Sequence, residues 1–450
     1  MKRVPVKLEL VSPEELAACR VAQVLRDHGH EVYLVGGYVR DRLLGRPSHD
    51  VDVTTSATPD QVAALFPKTI PVGASFGVMI VVDETTGCQL EVATFRTDGG
   101  YQDGRRPESV RFASAEEDAE RRDFTINALF YDPVAEEVID FVGGFEDLRR
   151  GIIRAIGDPA QRFGEDHLRM MRAIRFATRF QFELDPETEN AIRTLAEKIT
   201  RISPERIFAE MSKMLTGPKP HLAMTGLDRV KLMSHILPEI SCMHEVTQPK
   251  QYHPEGDVFV HTMLLLAHMA APSLTLAWGC LLHDVGKPPT FEIGKHGRET
   301  FPCHAKVGAK MTDDILRRLH APGAMIRDVC ALVEHHMTFA HVQDMKVSTL
   351  KRLMARDTFP DELELHRIDC MSSFGGVDNW VFLLDKVHEL ANQPPVPEPF
   401  LTGRDLIALG EKPGKHFGRI LGEAQDLQLE GELADREAAL VWLKTRIGGA

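Results

Sequence analysis

Period-two alternation of apolar and polar residues is confined to about the first third of the chain; after Phe141-Val142-Gly143-Gly144 the pattern is almost wholly helical. Any sheet must therefore be built near the N-terminus, with a long all-helical body behind it, an α+β fold class. Glu31–Val35 reads as a short strand that runs into Gly36-Gly37 and then a helical stretch ending at Gly45. Val51 and Val53 alternate with Asp50 and Asp52, and residues 78–83 and 89–95 read as further strands of the same sheet. Residues 1–30 read as an amphipathic helix with Ser12-Pro13-Glu14-Glu15 as its start signal. Residues 97–119 are glycine-rich, charged and turn-like, which predicts a mobile loop.

A chain of 450 residues can hold two to four domains, and 43% hydrophobic with 26% charged content is ordinary for a soluble globular protein. The N-terminus is basic but lacks the apolar run of a secretory signal. The uncharged run Thr262–Leu282 is about as long as a membrane span, but it holds His268 and Pro272 and meets His283-Asp284, so it reads as a buried helix pair. Seven cysteines without a CxxC pair point to reduced thiols in a cytoplasmic setting. A net charge of −13 does not suggest nucleic acid. Between positions 149 and 179, however, eight arginines face three acids, a local excess of +5 suited to phosphates.

Asp50 and Asp52 are two apart on a strand, so both carboxylates leave the same face. Two hard oxygen ligands suit Mg²⁺, which keeps its remaining positions for water and phosphate oxygens. Paired glycines let a backbone approach phosphate closely, and Arg40, one turn into the next helix, can clamp its oxygens. There is no GxxxxGK[ST], so a P-loop is excluded.

The stretch Leu34-Val-Gly-Gly-Tyr-Val-Arg-Asp-Arg-Leu-Leu-Gly45, followed by Asp50-Val-Asp52 and Thr54, resembles the first motif of the class II tRNA nucleotidyltransferases and bacterial poly(A) polymerases. Arg121-Arg-Asp-Phe-Thr-Ile-Asn-Ala128 resembles their second motif and Glu165-Asp-His-Leu-Arg169 their base-reading motif, in order from about 33 to 215. The resemblance implies a polymerase-β-like head with a small mixed sheet, then helical neck, body and tail, here 1–145, 146–215, 216–390 and 391–450. It also implies that Arg122 and Asp123 contact the incoming nucleotide, the aspartate through the ribose hydroxyls. The segment around Thr97–Arg111 resembles the flexible loop with which full members switch from C to A, which favours CCA or A addition without separating them.

Asp166 and Arg169, three apart on a helix, would share one face about 60° apart. A carboxylate accepts from an exocyclic amine and a guanidinium donates to a ring nitrogen or carbonyl, so the pair can read C or A and refuse U or G. Arg172 continues that face, whereas Arg175 has drifted by about 180° and would meet phosphate or the adjacent head. A plain surface ion pair is the alternative.

His283-Asp284 followed by Val-Gly-Lys-Pro resembles the HD phosphohydrolase superfamily. With His261 upstream and Asp369 downstream, the set can close around one divalent metal, Mg, Mn, Ni or Fe. His304, His335 and His336 resemble the additional ligands of two-metal versions. The expected activity is template-independent addition of CTP, CTP and ATP to the tRNA 3′ end, with tRNA, CTP and ATP as partners and neither membrane nor DNA. The alternatives are an A-adding or other split-specificity enzyme, a poly(A) polymerase, and an HD phosphohydrolase or RNA-binding protein with an inactive head.

Overall fold

The computed structural model describes residues 1–48, 50–73, 77–99, 110–251, 253–254, 256–373, 376–390 and 396–448. It divides into two compact units, 1–238 and 239–450. The first contains an eight-stranded mixed sheet. Its strands are Lys2–Pro5 (β1), Val32–Val35 (β2), Asp52–Thr55 (β3), Thr69–Gly73 (β4), Val78–Val82 (β5), Gln89–Thr94 (β6), Leu129–Asp132 (β7) and Glu137–Asp140 (β8). Their spatial order is β1-β8-β7-β2-β3-β6-β5-β4, with β3 and β6 the parallel pair.

The chain's start differs from the helical reading: Lys2–Pro5 pairs antiparallel with Glu137–Asp140 as an edge strand, and α1 begins only at Pro13 and ends at Asp27. Ser12 and Glu15 close a capping box there, and Ala17, Ala18, Val21, Ala22 and Leu25 are buried. Period-two alternation is weak in β2 and β7 because all four residues of each are buried, as expected for central strands. The strand segments at 69–73, 129–132 and 137–140 had no separate reading in the sequence.

Gly37–Leu43 (α2) follows β2, and the remainder of this unit is mostly helical, with two further strand pairs, Arg96–Asp98 with Val110–Phe112 and Ile152–Ile153 with Glu183–Leu184. Pro159–Glu165 (α3) and Leu168–Phe180 (α4) meet at a sharp junction, and Pro204–Leu215 (α5) and Pro220–Arg229 (α6) pack on α4. The second unit is nearly all helix. The long apolar run becomes two helices, Val258–Ala267 (α7) and Leu274–Leu282 (α8), and among the described residues no helix is long and apolar enough to cross a membrane. His304–Arg318 (α9), Gly323–His335 (α10) and Phe359–Ser372 (α11) complete the elements that carry the histidines.

Candidate functional sites

Antiparallel pairing of β2 with β3 sets Val35 opposite Asp52, so the turn after β2 lies beside the carboxylate. That turn is Gly36, at φ 73°, the left-handed region that favours glycine. A Cβ there would stand 3.3 Å from Arg122 Nη1 and 3.9 Å from Asp52 Oδ2, filling the gap between cation and anion. Gly36, Gly37, Arg40, Asp52, Arg122, Asp123, Asp166, Arg169 and Arg172 all line one cavity of about 440 Å³. Asp50 lies just before β3, exposed and outside that lining. It is still near enough to matter: burial, reinforced by the Asp50 charge, pushes the Asp52 carboxyl up to about 6. A half-buried carboxylate with a like charge beside it is short of positive charge, and the pair therefore fits a divalent cation.

The arginines are held, not dangling. Arg122 donates to Asp118 Oδ2 from Nη2 at 3.0 Å and lies over the Phe130 ring, while Asp118 also receives Arg121 at 2.8 Å. Asp123 accepts from Asn127 Nδ2 at 2.9 Å and from Arg172 Nε at 2.9 Å. Arg40 is buried, ion-paired with Asp41 at 2.7 Å and hydrogen-bonded to Asn127 Oδ1, and its guanidinium stacks over Phe180. Its role at the cavity wall is thus shared with holding Asn127. Asp118 and Asn127 were not singled out from the sequence, although Asp118 stands at helical i,i+4 spacing from Arg122 and Asn127 lies inside the second motif.

Asp166 and Arg169 do share this cavity, but not as neighbours on one helix face. Asp166 caps α3 in extended conformation (φ −146°, ψ 104°), and α4 starts only at Leu168. Its Oδ1 accepts from the Leu168 amide at 3.1 Å and its Oδ2 from Arg206 Nη2 at 2.7 Å. Arg169 is buried and donates to Glu165 Oε2 at 2.5 Å and to the Arg162 carbonyl at 2.9 Å. Glu165 and Arg206 are therefore the partners that fix these two groups. Arg175 lies outside the cavity: its Nε donates to Glu210 Oε2 at 2.6 Å, and it lines a separate basic hollow. The segment 97–119 is not all loop: Arg96–Asp98 pairs antiparallel with Val110–Phe112, and Ala115–Glu120 is a helix whose capping box is closed by Ser114 and Glu117, while the glycine-rich residues 100–109 within it lie outside the described residues.

In the second unit the histidines form two groups whose ligand atoms lie within 4.8 Å of one another: His261, His283 and Asp369, and Asp284, His304 and His336. His261 Nε2 and Asp369 Oδ1 are 3.0 Å apart, His283 Nε2 and Asp284 Oδ2 3.1 Å, and His304 Nε2 and His336 Nε2 3.2 Å. The other ring nitrogens of His283, His304 and His336 face the carbonyls of Cys280, Phe301 and Val333 at 2.7–3.0 Å. That contact holds each Nδ1 as the donor and leaves Nε2 as a lone pair, the arrangement of metal-ligating imidazoles. Burial depresses both His304 and His336, the latter to about 4, so at neutral pH their close Nε2 atoms are both bare acceptors.

Asp284 is deeply buried, and neither of its oxygens accepts a hydrogen bond of ordinary geometry, although Lys287 Nζ stands 2.6 Å away as an ion pair. Burial alone would raise its carboxyl, but His283 and Lys287 hold it well below the usual range. Facing lone pairs and an unbonded buried carboxylate fit a divalent cation. His335 is not part of either group; it points at Glu362 Oε1, 3.4 Å away. His253, Lys287 and His341 line the same cavity of about 630 Å³ and were not singled out from the sequence.

A mixed-sheet head with a half-buried carboxylate beside a glycine turn, arginines over a shared cavity and a separate histidine cluster define a nucleotidyltransferase joined to an HD domain. Residues 32–154 match the family described as "Poly A polymerase head domain", 181–243 "Probable RNA and SrmB- binding site of polymerase A" and 258–368 "HD domain". A curated CCA-adding enzyme of Lactobacillus helveticus is 48% identical over 97% of this chain and 98% of its own length. That of Geobacillus stearothermophilus is 50% identical over 48% of this chain, a match that spans 55% of the relative. The solved Bacillus stearothermophilus CCA-adding enzyme in complex with CTP superposes with a TM-score of 0.73 at 29% identity, covering 98% of this chain and all of that one. The chain belongs to the CCA-adding enzyme family of tRNA nucleotidyltransferases.

Proposed function

We propose that this chain adds CTP, CTP and ATP in turn to the 3′ end of tRNA without a nucleic-acid template, in a cytoplasmic setting. The observation that carries the reading is the single cavity in which Asp52, Arg122, Asp123, Asp166 and Arg169 meet. Asp50 and Asp52 would hold Mg²⁺, which when bound lowers the charge on the reacting phosphate and its leaving group. The terminal 3′-oxygen of the RNA attacks the α-phosphorus, the bond to the β-phosphate oxygen breaks, pyrophosphate leaves and the hydroxyl proton passes to solvent. Arg122 and Arg172 supply positive charge beside the triphosphate, and Asp123, braced by Asn127 and Arg172, is available to the ribose hydroxyls. Asp166 and Arg169 read the base edge, with Glu165 and Arg206 as their positioning residues.

In the second unit, His261, His283, Asp284 and Asp369, with His304 and His336, would hold one or two divalent ions, Mg, Mn, Ni or Fe. When bound by these residues, such an ion would lower the pKa of a water and so supply a nucleophile against a phosphoester. The cavity beside it is roomy enough for a nucleotide end, and Lys287 offers a cation there. This supports hydrolysis of 2′,3′-cyclic phosphates or phosphate monoesters at damaged RNA ends.

Changing Arg169 to Ile tests the base-reading assignment. Each good contact to a base edge is worth roughly 1–3 kcal/mol of discrimination, so misincorporation of UTP or GTP is expected to rise about ten- to a hundredfold. The measurement is product sequencing after single-nucleotide extension. If selectivity is unchanged and only the rate falls, the arginine positions the substrate and does not read it.

A further inference from the structure

A second hollow of about 460 Å³ opens along α4, lined by Arg175, Thr178 and Arg179, and nothing in the chemistry above uses it. Arg46, Arg175, Arg179, Lys213 and Lys219 line it. Two carboxylates oppose these five cations: Glu210, bound by Arg175 at 2.6 Å and Lys213 at 3.3 Å, and Asp41, which Arg179 meets at 3.3 Å and which is already paired with Arg40. The balance is positive, in a chain whose net charge is −13. Arg46 and Lys219 have no ion pair among the described residues, and Lys213 and Lys219 are exposed.

A second observation also points to an anion. The α6 helix begins at this hollow, and its cap residue, Lys219, makes no side-chain capping bond. The positive end of the helix dipole is therefore added to the cations.

We propose that this hollow is a backbone-phosphate subsite for the RNA strand just behind its growing 3′ end. The proposal rests on the nucleotide-adding reading above and extends it. Position is the first argument. Arg172, on the wall of the nucleotide cavity, and Arg175, on the wall of the basic hollow, both meet Phe176, with guanidinium carbons 5.3 and 4.4 Å from its ring centre. Three residues of helix separate them, about 4.5 Å along the axis. A strand whose last nucleotide lies in the first cavity is thus within reach of the second.

Chemistry is the second argument. The hollow offers point charges and two threonines, Thr178 and Thr216, but no carboxylate facing it to accept from a base amine. The nearby Phe180 ring has its face occupied by Arg40 and Arg46. Groups of this kind hold phosphates without reading sequence. That suits an enzyme whose substrate strand changes sequence at each addition while its backbone does not.

The test uses the full chain carrying Lys213→Gln and Lys219→Gln together, both exposed and clear of the nucleotide cavity, with Lys219→Glu as a second variant. Binding to tRNA lacking CCA is measured across a salt series, alongside KM for CTP. Loss of one to two phosphate contacts is expected to weaken binding about three- to tenfold and to flatten the slope of log K against log salt by about 0.7–0.9 per contact. Lys219→Glu is expected to weaken binding further, with melting temperature and KM for CTP unchanged in both variants. An unchanged affinity and salt slope overturns the subsite. A rise in KM for CTP with RNA binding intact overturns it too, since the triphosphate would then be the occupant. Failure of the underlying reading looks different: wild-type protein would bind RNA with the steep slope, lose it in the variant, and yet add no nucleotide.

Discussion

Alanine at both Asp50 and Asp52 is expected to reduce nucleotide addition by at least about 10⁴-fold, because the divalent ions this pair is proposed to hold would supply many kcal/mol of the barrier. Binding of tRNA should be unchanged or slightly tighter, since affinity for RNA comes from Lys and Arg on its phosphates and two negative charges have been removed. Asp52→Asn alone is the sharper variant. Asparagine keeps the shape at the start of β3, next to Gly36 and Arg122, and removes only the charge. The larger single effect is expected at Asp52, which lines the cavity, whereas Asp50 is exposed and outside that lining. Single-turnover extension with radiolabelled CTP, paired with a filter-binding assay, separates the two effects. Retained addition in Asp52→Asn contradicts the assignment of the head.

The second large effect belongs to the histidine cluster. His283→Ala with Asp284→Ala removes one member from each of the two groups that face the cavity. Divalent ion measured by mass spectrometry should fall to background, and hydrolysis of 2′,3′-cyclic phosphate should be lost. Nucleotide addition should continue, because Asp50 and Asp52 lie in the other unit. His335→Ala is the internal comparison: its ring faces Glu362, so ion content should stay as in the wild type. Removing an ion from a helical core also costs stability, so a melting curve accompanies each variant. A wild-type protein that binds no divalent ion and hydrolyses none of these esters contradicts the reading.

How far the sequence carries depends on how locally each group is held. Gly36, Asp52, Arg122 and Asp123 lie in short continuous strings, and all reach the same cavity. Their braces are less visible. Asp166 is held by Arg206, forty residues on, through the packing of α5 against α4, and no spacing rule joins them. The junction between α3 and α4 reads through as one helix in the sequence: Gly164 stands just before Glu165-Asp166-His167, but a lone glycine inside a helical pattern is tolerated and does not by itself mark a break.

Adjacent residues on a helix diverge by about 100°, so only one of His335 and His336 can face the cluster, and the tandem pair does not say which. Packing decides, turning His336 to Asp284 and His304, and His335 to Glu362. The edge strand at Lys2–Pro5 escaped for a related reason. Its residues are mostly exposed, so its partner at Glu137–Asp140, not its own pattern, makes it a strand.

The central claim is ordered, protein-directed addition. Purified wild-type protein is incubated with tRNA ending before CCA, after CC and after the full CCA, with each of the four nucleotides singly and with CTP and ATP together, and the products are resolved at single-nucleotide length. The account predicts two C residues from CTP alone on the shortest tRNA, one A from ATP on the CC-ended tRNA, the complete triplet from the mixture, and no extension of the finished end. A long A tail from ATP, or incorporation of A alone with no use of CTP, would contradict it.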